Sequence, residues 1–303
     1  MHGCRWTEIV AQHARVVLKP NLTCLDPAMA YAANTSTELV AAVVRVLQER
    51  TADITVGESD MINAPNVYPA ELAFEVSGLD RLSSELGFKL VNWSKEPTRP
   101  VPSALLSGFE MPIGLLDADV VISLPVLKTH GQSYYTGALK NMWGCVPRFD
   151  RFLLHRRLHE CIAEVNAILR PSLAIMDAIV GIEGRGPTYG NPRRLDLVLS
   201  STDLVALDAT AARLVGLDPG MAKHISLARR KGLGETEASA IIVDGPFAAN
   251  QTTFTPARYD IVLRTMDFLS PYRWFTYGVL LNPLLFERLR SISRALRRRE
   301  VIR

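Results

Sequence analysis

Between residues 15 and 243, short apolar runs rich in β-branched residues alternate with longer stretches whose apolar positions recur every three or four. The first kind predicts buried strands and the second helices with one buried face. Arg15–Leu18 (RVVL) is the first predicted strand, with Lys19-Pro20-Asn21 at its end. The helix Thr35–Arg50 follows, with Ser36 or Thr37 as its cap and Leu39, Val40, Val43, Val44 and Leu47 as its apolar stripe. Asp53–Gly57 (DITVG) is the second strand, ending in Glu58-Ser59-Asp60, and completes a β-α-β unit whose strands should be parallel. Asn66–Gly87 holds two short helices split at Gly78, with Phe74 and Leu82 expected in the core. Lys89–Trp93 is a further strand. Four prolines between Ser94 and Pro112 leave that stretch irregular or at a sheet edge.

The densest chemistry follows the strand Asp119–Leu124. Pro125 has no N–H to donate, so it should end the ladder and leave Lys128, Thr129 and His130 at the strand's carboxyl end. Thr136-Gly137 opens a predicted helix that sets Lys140 one turn beyond Thr136 on the same face, with Asn141 next to it. Two lysines, a histidine, hydroxyls and free helix N–H groups would then converge where open α/β sheets bind ligands, and an anion suits them. Phe149–Leu169 is predicted as a long helix and Ser172–Met176 as a strand carrying Asp177 at its end. Gly181–Pro187 (GIEGRGP) is a loop in which Gly184 and Gly186, beside Glu183, let backbone N–H groups approach an anion. Leu195–Ser200 is a half-buried strand, Asp203–Val215 and Met221–Lys231 are helices, and Ala240–Val243 is a last short strand. Lys19, Glu58, Lys128 and Asp177 all fall at strand ends, so a parallel sheet should gather them on one edge.

Composition narrows the class. A chain of 303 residues with 48% hydrophobic and 21% charged residues can bury a large core. The net charge of +3 is unevenly placed: residues 287–303 carry seven Arg and two Glu, leaving −2 for the rest. That body is not basic enough to point to nucleic acid. Cys4, Cys24, Cys145 and Cys161 include no close pair, which excludes a CxxC knuckle and a ferredoxin-type cluster motif and fits a reducing cytoplasm. The first twenty residues lack the apolar run of a signal peptide, and no uninterrupted apolar stretch reaches the roughly 18 residues of a spanning helix.

Residues 1–250 read as one α/β domain and 251–303 as a helical extension. In the extension, Trp274, Phe275, Tyr277, Leu280 and Leu281 form an apolar cluster. Beyond Pro283, Leu285, Leu289, Ile292 and Leu296 make one helical stripe opposite Arg288, Arg290, Arg294, Arg297 and Arg298. Such a helix suits the surface of an anionic membrane or a partner's groove; packed on the body, it would leave its arginines solvated. For metals, the candidates are Glu58 and the pair His155 and His159. Their spacing of four suits two ligands on one helical face, but HRRLH lacks the base of a metalloprotease motif.

Several stretches together resemble the family called domain of unknown function 362. They are VLKPNL at Val17–Leu22, TELVAAVVRVLQE followed by ITVGES, LPVLKTH with TGALKNMWGCVP, IMDAIVGIEGRGPTYGNP, and STDLVALDATAARLVG with the GLG at Gly232–Gly234. The resemblance runs from about Val16 to Gly245. It implies redox-associated, iron–sulfur-linked proteins, whose members often carry an added ferredoxin domain. This sequence departs from that pattern in having no cysteine cluster motif. TGALKN is also distantly similar to the GGxK region of nickel-pincer lactate racemases, an analogy that does not fix chemistry.

The expectation is therefore a mainly parallel, Rossmann-like α/β sheet flanked by helices, with one pocket at its carboxyl edge. Lys19, Asn21, Thr129, Thr136, Gly137 and Asn141 should bind a small anionic substrate or cofactor, with Asp177, Glu183, Gly184 and Gly186 opposite. Lys128 and Lys140 would hold the anion, and His130, whose ordinary pKa is near ~6.5, would move protons. The expected function is redox or proton-transfer catalysis, as an oxidoreductase or isomerase of unknown cofactor. The alternative is a non-catalytic anion-binding or scaffold protein serving an iron–sulfur partner. The expected location is the cytoplasm, with peripheral contact at the inner membrane face.

Overall fold

The computed structural model describes residues 6–63, 66–286, 288 and 291. One sheet is built from β1 (Val16–Pro20), β2 (Ile54–Glu58), β3 (Lys89–Asn92), β4 (Val120–Leu124), β5 (Val126–His130), β6 (Tyr134–Thr136), β7 (Leu173–Glu183) and β8 (Asn191–Ser201). Across the sheet the order is β3-β2-β1-β4-β7-β8, and β5 continues β4 past Pro125 to lie between β7 and β6. β1, β2, β3, β4, β5 and β7 pair in parallel; β6 and β8 return antiparallel to β5 and β7. The fold is α/β with a mostly parallel sheet, as its alternating elements require.

The helices that position the site are α1 (Pro27–Ala33), α2 (Thr37–Leu47), α3 (Ala70–Val76), α4 (Leu79–Leu86), α5 (Ala138–Asn141), α6 (Leu158–Leu169), α7 (Leu204–Leu214), α8 (Lys223–Arg230) and α9 (Ile261–Leu269). Because strand side chains alternate, Val16, Leu18, Ile54, Val56, Val120 and Ile122 meet α2, α3 and α4 on one face. Val17, Val121, Ala174 and Met176 meet α6, α7 and α8 on the other. The predicted stripe of α2 is buried in full, and each of its side chains contributes about 1.5–3 kcal/mol. Asp203 caps α7 as expected, its Oδ1 accepting the Ala206 N–H at 2.8 Å.

Several boundaries differ from expectation. Pro125 ends the ladder between β4 and β1, which finishes at Leu124 opposite Pro20, but a new strand, β5, starts at once with other partners. The Pro125 carbonyl still accepts, from the Asp177 N–H at 2.8 Å. Lys128, Thr129 and His130 are therefore strand residues. Asp177 lies inside β7, and Gly181–Glu183 are paired rather than looped, because β8 carries the ladder on to Glu183 opposite Asn191. Phe149–Arg157 is a 3-10 helix, and α6 begins only at Leu158. The expected strand Ala240–Val243 does not form; Ile242 is 97% exposed, with no sheet edge to join.

Residues 252–255 are stitched to the body. Thr252 and Phe254 N–H groups donate to Leu214 and Val215 carbonyls, Thr255 N–H donates to Glu183 Oε2, and Phe254 is buried in the core. Of the predicted aromatic cluster, Phe275 and Leu280 are buried while Trp274 is 62% exposed. The Arg-rich stripe beyond Leu285 lies outside the described residues, apart from Arg288. Among the described residues no helix is long and apolar enough to cross a membrane.

Candidate functional site

β2 and β3 lie on one side of β1, while β4 and everything after it lie on the other. The winding reverses between β1 and β4, so the loops after these strands diverge and leave a crevice. A cavity of about 360 Å³ opens there. Lys19, at the end of β1, is buried and donates from Nζ to Glu58 Oε2 and to the Pro20 carbonyl, each at 2.6 Å. Its charge is matched inside the protein. Asn141 Nδ2 donates to the Lys19 carbonyl (2.8 Å) and Ser123 Oγ (3.1 Å), while its Oδ1 accepts from Asn21 Nδ2 (3.1 Å). These bonds fasten α5 to the ends of β1 and β4.

Lys128 sits behind the cavity rather than on its wall. Its buried Nζ donates to Asn21 Oδ1 (2.5 Å), Thr23 Oγ1 (3.0 Å) and the Ala33 carbonyl. Three acceptors take all three ammonium protons and favour the charged form. Against them, burial and then the Lys140 charge push Lys128 down to about 7. Lys128 thus positions Asn21 and the loop that follows.

Lys140 reaches the cavity from α5, but the N–H groups that open this short helix are not free. Asp208, on α7, accepts from Ala138 N–H at 2.6 Å and Leu139 N–H at 2.9 Å. Gly137 makes room for it, since a Cβ there would lie 2.1 Å from Asp208 Oδ1. Burial raises Asp208 to about 7 despite these two bonds. The protein's own carboxyl occupies the place expected for a ligand anion.

Lys140 and Arg151 both line the cavity, and among the described residues neither forms an ion pair. Burial, followed by repulsion from Arg151 and Lys19, brings Lys140 from 10.5 down to about 8. His155, four residues beyond Arg151 and also on the wall, is held down to about 3 by burial, Lys140 and Arg151. Burial likewise holds His130 well below its ordinary value, so its ring is neutral. His130 Nδ1 accepts the N–H groups of Gln132 (3.1 Å) and Ser133 (3.2 Å), which puts the ring proton on Nε2. In this geometry His130 is a hydrogen-bond donor, and the cavity-lining group brought toward neutral pH is Lys140. Met61, Trp143, Phe152 and Leu263 supply an apolar half of the wall.

Of the predicted residues, Lys19, Asn21, Glu58, His130, Lys140, Asn141, His155 and Gly186 meet at this cavity. Thr129, Thr136, Gly137, Asp177, Glu183 and Gly184 do not line it. Thr129 Oγ1 donates to the Ile182 and Gly184 carbonyls, fastening the end of β7. Thr136 is buried. Asp177 accepts from the N–H groups of Ser36 (2.8 Å) and Ile179 (3.1 Å), and Glu183 from Arg193 Nη1 and Thr255 N–H. Both carboxylates hold the frame. His159 pairs with His224 rather than His155; their rings stack 5.4 Å apart, and His159 Nδ1 accepts the His224 N–H at 3.1 Å.

Arg151, Trp143, Phe152 and Asp208 were not predicted. The available signal for Arg151 was its spacing of four from His155. Among the described residues no group of three or more His, Cys, Asp or Glu is set to hold a metal. Cys24, Cys145 and Cys161 are buried free thiols, and burial pushes Cys145 and Cys161 up to about 12. These cysteines do not fit a thiolate-held iron–sulfur cluster.

The elements that build this geometry, from β1 to α7, coincide with residues 16–213, which match the family model described as domain of unknown function 362. The chain belongs to that family. A thylakoid-associated protein of Synechocystis sp. (strain ATCC 27184 / PCC 6803 / Kazusa) is 33% identical over 232 residues, covering 74% of this chain and 70% of that protein. A Thermotoga maritima protein of known crystal structure shares 13% identity at a TM-score of 0.33. That match covers 74% of this chain and 56% of the other, a likeness too distant to carry a conclusion. Leu263 and the rest of α9 lie beyond the stretch matched by the family model.

Proposed function

We propose that the protein is an enzyme that binds a small anion in the crevice between β1 and β4 and moves a proton on it. The observation that carries this reading is positive charge in excess: Lys140 and Arg151 face one cavity without an ion pair among the described residues, and the carboxylate on its wall, Glu58, is bound by Lys19. Two like charges held together out of water favour an anion between them. The cavity's 360 Å³ lies within the ~300–1,000 Å³ usual for small-molecule sites. Arg151 is the fixed cation, His130 Nε2–H a neutral donor, and Lys140, with a pKa of about 8, the acid/base. A binding protein would need only the cations; a lysine brought close to working pH favours catalysis. An iron–sulfur cluster, implied by the family resemblance, would have to be held outside the described residues, since the cysteines described do not fit one. Native mass spectrometry of full-length protein purified without oxygen or added phosphate should show a retained small anion that Lys140→Met loses. A wild type that emerges empty, and whose melting does not respond to phosphate or small carboxylates, would refute the reading.

A second reading concerns location. Phe268, Tyr272 and Trp274 are exposed, with Arg264 and Arg273 among them, and a relative is described as thylakoid-associated. Aromatic side chains beside arginines suit peripheral contact with an anionic membrane. In vesicle flotation the full chain should float with anionic lipid, and one ending at Pro271 should not. Equal flotation would exclude the contact.

A further inference from the structure

The first cavity has a neighbour. A second cavity of about 310 Å³ shares Gln132 and His155 with it, so the two adjoin across these side chains. Arg156, Lys223 and Arg264 line the second cavity, and its lining holds one carboxylate, Asp267. That carboxylate is engaged elsewhere: Oδ1 accepts from Gln132 Nε2 and Oδ2 from the Tyr259 hydroxyl, both at 2.6 Å. Among the described residues no ion pair joins it to any of the three cations. The two guanidinium groups are steadied by rings instead, Arg156 over Phe268 at 5.4 Å and Arg264 over Tyr259 at 5.6 Å. A ring face orients a guanidinium without neutralising it. His159 on the same wall is kept neutral, first by burial and then by Lys223 and Lys140, so it adds a polar group without charge.

We propose that the two cavities are subsites for one elongated ligand carrying an anionic group at each end. One end lies on Lys140 and Arg151, the other on Arg156, Lys223 and Arg264, and the middle passes the neck at Gln132 and His155. The inference rests on the anion reading of the first cavity and adds the substrate class. Lys223, Tyr259, Arg264, Asp267 and Phe268 all lie beyond residue 213, where the family match ends. The first subsite is thus built largely within the family's fold, whereas α8, α9 and the segment before α9 supply half of the second. α9 roofs both, Leu263 over the first and Arg264 over the second.

Calorimetric titration of the full chain with α,ω-dicarboxylates and α,ω-bisphosphates of graded length, each beside its matched monoanion, tests this. One dianion length should bind at least about tenfold more tightly than its monoanion. The double variant Arg156→Gln/Arg264→Gln should lose that advantage and keep the monoanion affinity; Lys140→Met should weaken both. Which series wins identifies the anionic group as carboxylate or phosphate. If the double variant does not fold, Lys223→Gln, at an exposed position, must reduce the advantage in its place. Monoanion binding with no dianion advantage, or an advantage that survives these substitutions, overturns the two-subsite inference alone. No binding of any anion overturns it together with the reading of the first cavity.

Discussion

Replacing Lys140 by Met should stabilise the empty protein at neutral pH while weakening its response to anions. Lys140 is brought from 10.5 to about 8, chiefly by burial and then by Arg151 and Lys19. At about 1.4 kcal/mol for each tenfold, the protonated side chain costs the folded state on the order of 3 kcal/mol. Met keeps the apolar stem and removes the charge, so a net gain of about 1–3 kcal/mol is expected at pH ~7. The folded pKa lies below the unfolded one, so the penalty is complete below about pH 8. It is relieved as pH rises from there toward about 10.5, where the amine is neutral in both states. Urea denaturation in phosphate-free buffer should therefore show variant above wild type at neutral pH, with the two converging in alkali. Added phosphate at about a hundred times its dissociation constant should raise the wild type by about 2.7 kcal/mol and the variant far less. A variant less stable than wild type at neutral pH, without phosphate, would mean that Lys140 has a structural partner and that the cavity's charge is not unmatched.

Other substitutions separate framework from site. Lys128→Met leaves Asn21 Oδ1, Thr23 Oγ1 and the Ala33 carbonyl without their donor, and should lower stability by about 2–4 kcal/mol in the same assay; an unchanged midpoint would contradict its role as an anchor. Gly137→Ala places a Cβ 2.1 Å from Asp208 Oδ1 and should displace that cap, costing about 2 kcal/mol or more and removing hydrogen-exchange protection from the Ala138 and Leu139 N–H groups. Protection that persists would show that the cap does not hold α5.

Element types along the sheet were legible because period and composition agreed: the stripe of α2, the split at Gly78 and the cap at Asp203 all depend on neighbours in sequence. The convergence of Lys19, Asn21, His130, Lys140 and Asn141 was legible too, since a parallel sheet must bring its strand ends to one edge. What local pattern does not contain is partner choice. Pro125 stops the ladder with β1 as expected, yet a second strand follows it because β6 and β7 supply new partners. Gly137 looked like the mouth of an anion site, but a carboxyl 71 positions from it, Asp208, fills that mouth. Arg151 was missed although it stands four residues from His155, because an arginine on a helical segment reads as solvated until the fold shows which side meets the cavity. His130 seemed the proton-transfer group from its ordinary pKa; burial and two backbone N–H donors make it a neutral donor instead.

The anion site stands or falls with the excess charge on Lys140 and Arg151. Calorimetric titration with sulfate, which does not titrate near neutrality, tests it most directly when run near pH ~8 in two buffers of different ionisation heat. Saturable binding with uptake of part of a proton is expected, because an anion beside Lys140 raises an amine whose pKa is about 8. Affinity should fall as pH rises past that value, and Lys140→Met should weaken the binding and abolish the proton uptake. Sulfate heats no larger than dilution, or binding that is unchanged in Lys140→Met and independent of buffer, would contradict it.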